Sequence, residues 1–483
     1  MALSGALLLA CAAPAEHKAQ GGPLITAPPI LASSWPTFQG SNTHTGAFAV
    51  EPILKPSIAW RARVGVQSWL NNPILVAEMV ITGSSGQTWN QPDNMDGVVA
   101  LDAATGKRRW FAPAKADVNG ISYGMGVIVA TGDEGAAWGI DAASGKQLWH
   151  TPSRTGAKLY AHPLILPGIA VVADARGDLD ALDLRTGQRR WSVALKEEVR
   201  AALASDGQTI YVATTQGSIH AIDLHGKTRW SARPAHELPS NPDAQENLPI
   251  PPAFWAPLTL SGDLLIAAYV RDTTYGSPAL MALHRATGHY AWLAPTPRDL
   301  PPEANSWGNL RASPIISQNN LYWPEPYSRD IASAQLSDGA LRFRSSLGAC
   351  AFPQWASPAA SSDLIYTPRM DGTLWATSHG YGLVEWYVYL GDGARAGQPY
   401  PDDLKARAKS GHCDWELPDI HGLYASPTLA PDGSIFQGSG DGLLYKIVDI
   451  TPRESPERAS YQVVLIDLLL ALQSACSVWS VKG

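Results

Sequence analysis

Arg200 and Arg311 recur down this chain with a set of aromatic and polar residues, Trp69, Asn71, Tyr123, His162, Trp255, Trp355, His421 and Tyr424. Guanidinium groups offer planar, bidentate donors and aromatic rings offer stacking faces. Gathered round one axis, these side chains would hold a planar anionic ligand. The plainer reading is that they fill the mouth of a channel, which a ring-shaped fold needs whatever its function. Asp93, Asn94 and Asp96, followed by Gly97, supply oxygen atoms at a spacing that suits either a tight turn or a calcium ion; the turn is the reading taken, with calcium the alternative. No acid/base pair is legible by motif.

What positions these residues is a repeat. ALDAATGKRRW (100–110) returns as GIDAASGKQLW (139–149), ALDLRTGQRRW (181–191), AIDLHGKTRW (221–230), ALHRATGHYAW (282–292), AQLSDGALRF (334–343) and ATSHGYGLVEW (376–386). In each copy a turn glycine stands four residues before an aromatic, as in Gly106/Trp110 and Gly382/Trp386. An alternating apolar run, an Asp-x-x-Thr-Gly turn and a return strand ending in Trp make a β-hairpin. Asp102, Asp141 and Asp183 recur at the turn, so they are structural rather than catalytic. A second pair of short strands precedes each hairpin, opened by Pro or Ser-Pro as in RASPIISQNNLYW (311–323). Four short strands per unit predict a propeller blade.

The units begin near residues 70, 121, 161, 200, 256, 311, 355 and 424. The sequence therefore predicts an all-β chain, an eight-bladed β-propeller of four-stranded antiparallel blades. The eighth unit has no Gly-x-x-x-Trp strand of its own, and strand 57–64, carrying Trp60, is expected to supply it and close the ring. Insertions at 84–96, 231–255, 293–310, 344–355 and 387–423 all fall on the face opposite the Thr-Gly turns, and the candidate residues flank them. Long loops on one face of a rigid scaffold are where binding is expected.

On these repeats, and on WPTFQGSNTHTG at 35–46, the chain resembles the quinoprotein-like, or pyrroloquinoline-quinone-repeat, β-propellers over about residues 35–450. That family includes quinone-dependent alcohol dehydrogenases and the propeller lipoprotein of the outer-membrane barrel-assembly machine. The dehydrogenase branch implies a vicinal Cys-Cys, and its fused-cytochrome members Cys-x-x-Cys-His; this chain contains neither. The resemblance therefore implies an exported, non-catalytic binding or scaffold propeller of the bacterial cell envelope. Its alternative is a dehydrogenase of alcohols or sugars using pyrroloquinoline quinone (PQQ) and calcium.

The opening MALSGALLLAC resembles a lipoprotein signal (1–11) with Cys11 as the acylated residue, simple secretion being the alternative, and residues 12–34 read as a flexible tether. Cys350 and Cys413 lie in loops leading into blades 7 and 8. An oxidising compartment would join them in a disulfide, ahead of a metal site that includes His412, and Cys476 is left unpaired. A net charge of −7 without basic runs gives no footprint for nucleic acid. The expected partner is an envelope protein or a small molecule on the long-loop face, with the membrane reached only through the lipid anchor. Residues 451–483 fall outside the repeat; their apolar run 463–472 contains Asp467, is too short to cross a bilayer, and is expected to dock on the propeller.

Overall fold

The computed structural model describes residues 33–68, 70–234, 253–270, 278–293, 311–325, 329–348, 355–393, 395–399, 402 and 421–452. These form eight antiparallel sheets arranged as the blades of a propeller. Blade 1 runs outward through Ile74–Val76, Met79–Ser85, Asp96–Asp102 and Arg108–Pro113. Ser33–Trp35 adds a fifth strand at its inner edge, pairing with Ile74–Val76. Blade 8 contains Thr428–Leu429, Ile435–Gly438 and Leu443–Asp449, and its outermost strand is Pro56–Arg63 from the start of the chain, with Arg61 opposite Tyr445. The closing strand is the one the sequence singled out. Among the described residues no helix is long and apolar enough to cross a membrane.

The hairpin repeat builds the contacts between blades. Each outer-strand Trp donates its indole N–H to a backbone carbonyl in the hairpin turn of the next blade: Trp60 to Ala103 (3.2 Å), Trp110 to Ala142 (3.1 Å), Trp149 to Leu184 (3.0 Å), Trp191 to Leu224 (2.8 Å), Trp230 to Arg285 (2.9 Å) and Trp292 to Leu336 (3.0 Å). The ring plane lies against that turn's glycine, leaving no room for a methyl group. Trp60 thus meets Gly106 of blade 1, and this contact joins the end of the ring to its beginning. Phe343 packs on Gly382 without an N–H to donate, and Trp386 donates instead to Ile53. The turn aspartates spend their carboxylates locally, Asp102 accepting the Thr105 N–H at 2.9 Å and Asp183 the Thr186 N–H at 2.9 Å.

Two features at the axis were not legible as repeats. A belt of hydrogen bonds links the residues just before the first strand of successive blades. Ser313 N–H donates to Ser357 Oγ (2.8 Å), Ser357 N–H to Ser426 Oγ (2.9 Å), Ser426 N–H to Asn72 Oδ1 (2.5 Å), and Asn72 Nδ2 to His162 Nε2 (3.1 Å). The belt lies at the long-loop end. At the opposite end, residues 36–50 pass from blade to blade along the inner turns. The carbonyls of Pro36, Asn42, Thr43, Thr45 and Gly46 accept in turn from the N–H groups of Tyr123, Ser205, Leu260, Ile316 and Ala360. This segment stoppers the channel at the short-turn face.

Candidate functional site

At the long-loop end of the axis, Arg200, Trp255, Arg311 and Trp355 form the wall of one cavity, with Phe38, Asn72 and His162 beneath. Each comes from the segment entering a blade. Tyr160, Arg311, Trp355 and Tyr424 all stand three residues before the proline that opens the inner strand, so the fold projects them at the same level. Round the ring aromatic and guanidinium groups alternate. Arg200 lies 4.4 Å from the centre of the Tyr160 ring and 4.9 Å from that of Trp255; Arg311 lies 5.4 Å from Trp255 and 4.3 Å from Trp355; Trp355 and Tyr424 are 5.9 Å apart.

Both cations thus share the faces of Trp255, a cation–π arrangement that favours Arg over Lys. Arg200 also pairs with Glu198 at 2.8 Å. Burial, followed by repulsion from Arg200, lowers the Arg311 pKa to about 10, and the group stays charged at neutral pH. The Trp355 indole N–H meets no acceptor among the described residues. The wall therefore presents donors and positive charge and, in its described lining, no carboxylate.

The floor is chemically quiet. The bond from Asn72 fixes Nε2 of His162 as an acceptor, and Nδ1 faces the Ile121 carbonyl at 3.3 Å. Burial lowers its pKa to about 4, so the ring is neutral and committed to the belt. His44 is held the same way: Nδ1 bonds the Leu258 carbonyl at 2.8 Å and burial lowers its pKa to about 4. Phe38 packs between the two imidazoles, 5.1 Å from one and 5.4 Å from the other.

Of the residues singled out in the sequence, His162, Arg200, Trp255, Arg311 and Trp355 meet at this cavity, and Tyr424 joins through Trp355. Asn71 is buried with Nδ2 on Ser85, and Tyr123 packs in the core between blades 1 and 2 with its hydroxyl receiving the Gly126 N–H. His421 is exposed. Trp69, Cys11, Cys350 and Cys413 lie outside the described residues, as do His412 and most of the long insertions. Sequence reasoning missed Phe38, Asn72 and Tyr160. For Tyr160 a signal existed, its place three residues before Pro163, matching Arg311, Trp355 and Tyr424.

Asp93 and Asp96 hold a turn. Asp93 accepts the N–H groups of Gln87 (2.6 Å) and Met95 (2.7 Å), Asp96 accepts that of Asp93 (2.8 Å), and Asn94 points to solvent. Burial, then the neighbouring Asp117 and Asp93, raises the Asp96 pKa to about 6. Among the described residues no three His, Cys, Asp or Glu side chains gather as a metal site.

The axial cavity measures about 20 Å³, room for a water molecule. A tricyclic quinone does not fit between the side chains as they stand. A calcium ion beside it would also need oxygen ligands that the described wall does not offer.

Comparison with known proteins places the chain. Over 117 residues it is 31% identical to the outer membrane protein assembly factor BamB of Bordetella pertussis, a stretch covering 24% of this chain and 28% of that relative. The matched stretch is thus under a third of the relative's length. Among solved structures, BamB from Moraxella catarrhalis aligns with a TM-score of 0.57 at 15% identity, covering 81% of this chain and 99% of that one. The quinohemoprotein alcohol dehydrogenase of Comamonas testosteroni aligns with a TM-score of 0.64 at 14% identity, covering 87% of this chain and 81% of that one. At such identities the two structures speak for the fold alone. The family profile described as outer membrane protein assembly factor BamB matches residues 56–294 and 175–447, nearly the whole ring, and the chain belongs to that family.

Proposed function

We propose that this chain is a non-catalytic scaffold propeller of the bacterial cell envelope, serving outer membrane protein assembly. Its long-loop face would receive an acidic segment of an envelope protein partner at the axis. The observation that carries this reading is the ring Tyr160–Arg200–Trp255–Arg311–Trp355–Tyr424, in which two guanidinium groups stand between aromatic faces above a water-sized cavity. Carboxylate side chains meet bidentate donors there, and the rings supply apolar contact and partial desolvation. Such a surface grips a chain laid across the channel mouth and performs no bond-making step.

The test is fluorescence titration of the full chain with a Glu/Asp-rich peptide and, separately, with PQQ and calcium. The expected result is salt-sensitive peptide binding that weakens at least tenfold, about 1.4 kcal/mol, in Arg311→Ala. No alcohol-dependent reduction of an artificial acceptor is expected. Stoichiometric quinone binding with alcohol-dependent turnover would overturn the scaffold in favour of the PQQ- and calcium-dependent dehydrogenase, the alternative that the quinohemoprotein fold keeps in view.

Export through a lipid on Cys11 is part of the same proposal, with the tether shortened to residues 12–32, because Ser33 and Ser34 already belong to the inner strand of blade 1. Mass spectrometry of the mature protein should find a diacylglyceryl group there, and Cys11→Ser should release the propeller from membranes. An unmodified N-terminus elsewhere leaves simple secretion.

A further inference from the structure

The hairpin turns of blades 1, 2 and 4 put Lys107, Lys146 and Lys227 beside the turn glycine. Blade 7 departs from this. Its turn reads His379-Gly380-Tyr381-Gly382-Leu383-Val384, with Tyr381 81% and Leu383 61% exposed. Blade 8 meets it at the same corner of the short-turn face, because Trp386, two residues beyond Val384, donates its indole N–H to Ile53. There Leu54 is 57% exposed and Ile450 60% exposed. The two are neighbours: Leu54 N–H donates to the Asp449 carboxylate at 3.2 Å. Four large apolar side chains are therefore presented on adjacent turns, where single exposed residues are the norm.

The last described residues lie at this corner. Thr451 is fastened by its N–H (3.2 Å) and hydroxyl (2.7 Å) to Asp449, and the described residues end at Pro452. Eleven residues on begins VVLIDLLLAL (463–472), nine of whose ten residues are apolar. Too short to span a bilayer, the run gains most by covering apolar surface. Ten linking residues reach about 33–36 Å when extended, and so short a tether gives the run an effective concentration in the millimolar range at the corner where the described residues end. Lys55, exposed beside Leu54, offers the run's Asp467 a cation.

We propose that segment 463–472 docks on the Leu54, Tyr381, Leu383 and Ile450 surface of its own chain. This contact lies on the face opposite the arginine–aromatic funnel, so it stands or falls separately from the scaffold reading.

The full chain carrying a benzophenone amino acid at Leu383 tests it. Irradiation should give an internal cross-link to peptides containing 463–472, at monomer mass and independent of protein concentration. As a second readout, Leu383→Asp with Ile450→Asp should speed proteolysis within 463–472 at least tenfold while the unfolding midpoint of the ring is unchanged. Cross-links to a second copy, to lipid when phosphatidylethanolamine/phosphatidylglycerol vesicles are present, or to nothing, would overturn the proposal. Equal proteolysis of variant and parent would do the same.

Discussion

Gly106 and Gly168 share a left-handed backbone, with φ of +70° and +78°, but face different surroundings. A Cβ at Gly106 would come within 2.7 Å of the Trp60 ring, whereas at Gly168 nothing lies within 4 Å. Alanine at either site takes the left-handed penalty, about 1–2 kcal/mol. Only at Gly106 must it also displace a packed indole, and overpacking of that kind costs about 1–3 kcal/mol more. Gly168→Ala should therefore cost about 1–2 kcal/mol and Gly106→Ala about 2–5 kcal/mol. Urea denaturation followed by far-ultraviolet circular dichroism measures both against the parent. Because Trp60 sits on the strand that closes the ring, Gly106→Ala should also lower the denaturant slope as closure loosens before the blades melt. Equal losses in the two variants would refute the interlock and leave the turn glycines with a purely conformational role.

Trp110→Phe should cost about 1–3 kcal/mol, since it strands the Ala142 carbonyl; a loss within error by the same denaturation assay would show that shape alone matters, as at Phe343. In His44→Asn the acid sensitivity of that buried imidazole disappears. The native ring resists protonation until about pH 4 while the unfolded one takes its proton near 6.5, so the parent should lose stability relative to the variant as pH falls through that window, by about 1.4 kcal/mol per pH unit, with a constant difference above pH 7. Denaturation at pH 4.5, 5.5 and 7.5 checks the slope. Cys350 and Cys413 should be found joined when the exported protein is digested without reductant, and free thiols at both would remove that clamp.

The hairpins were readable because each must place a glycine under the preceding blade's indole, and that demand writes Gly and an aromatic four residues apart seven times over. Ring closure followed because Trp60 had no hairpin and the eighth unit had no Trp. The stopper at 36–50 left no such trace: its carbonyls pair with backbone N–H groups in five different blades, and backbone partners place no demand on side-chain identity. His162 shows the opposite failure. Its position beside the axis marked it as a ligand contact, but Nε2 is engaged by Asn72 of the belt and Nδ1 faces the Ile121 carbonyl. Arg200 and Arg311 were legible as a pair; that they share one tryptophan follows from the order of blades 4, 5 and 6.

The closing strand also sets a timetable for the chain's birth. Residues 56–63 are synthesised ahead of every blade, but their strand partner among the described residues, 443–449, comes only after seven blades have been made. Until then blade 8 has no outer strand and the ring keeps a live edge at each end, the form of β-structure most open to pairing with another chain. Such distant pairing slows folding and prolongs that exposure. A ribosome that stalls anywhere short of the eighth blade therefore releases an open ribbon rather than a smaller propeller, and the cell's holding chaperones, not the early blades, must protect it.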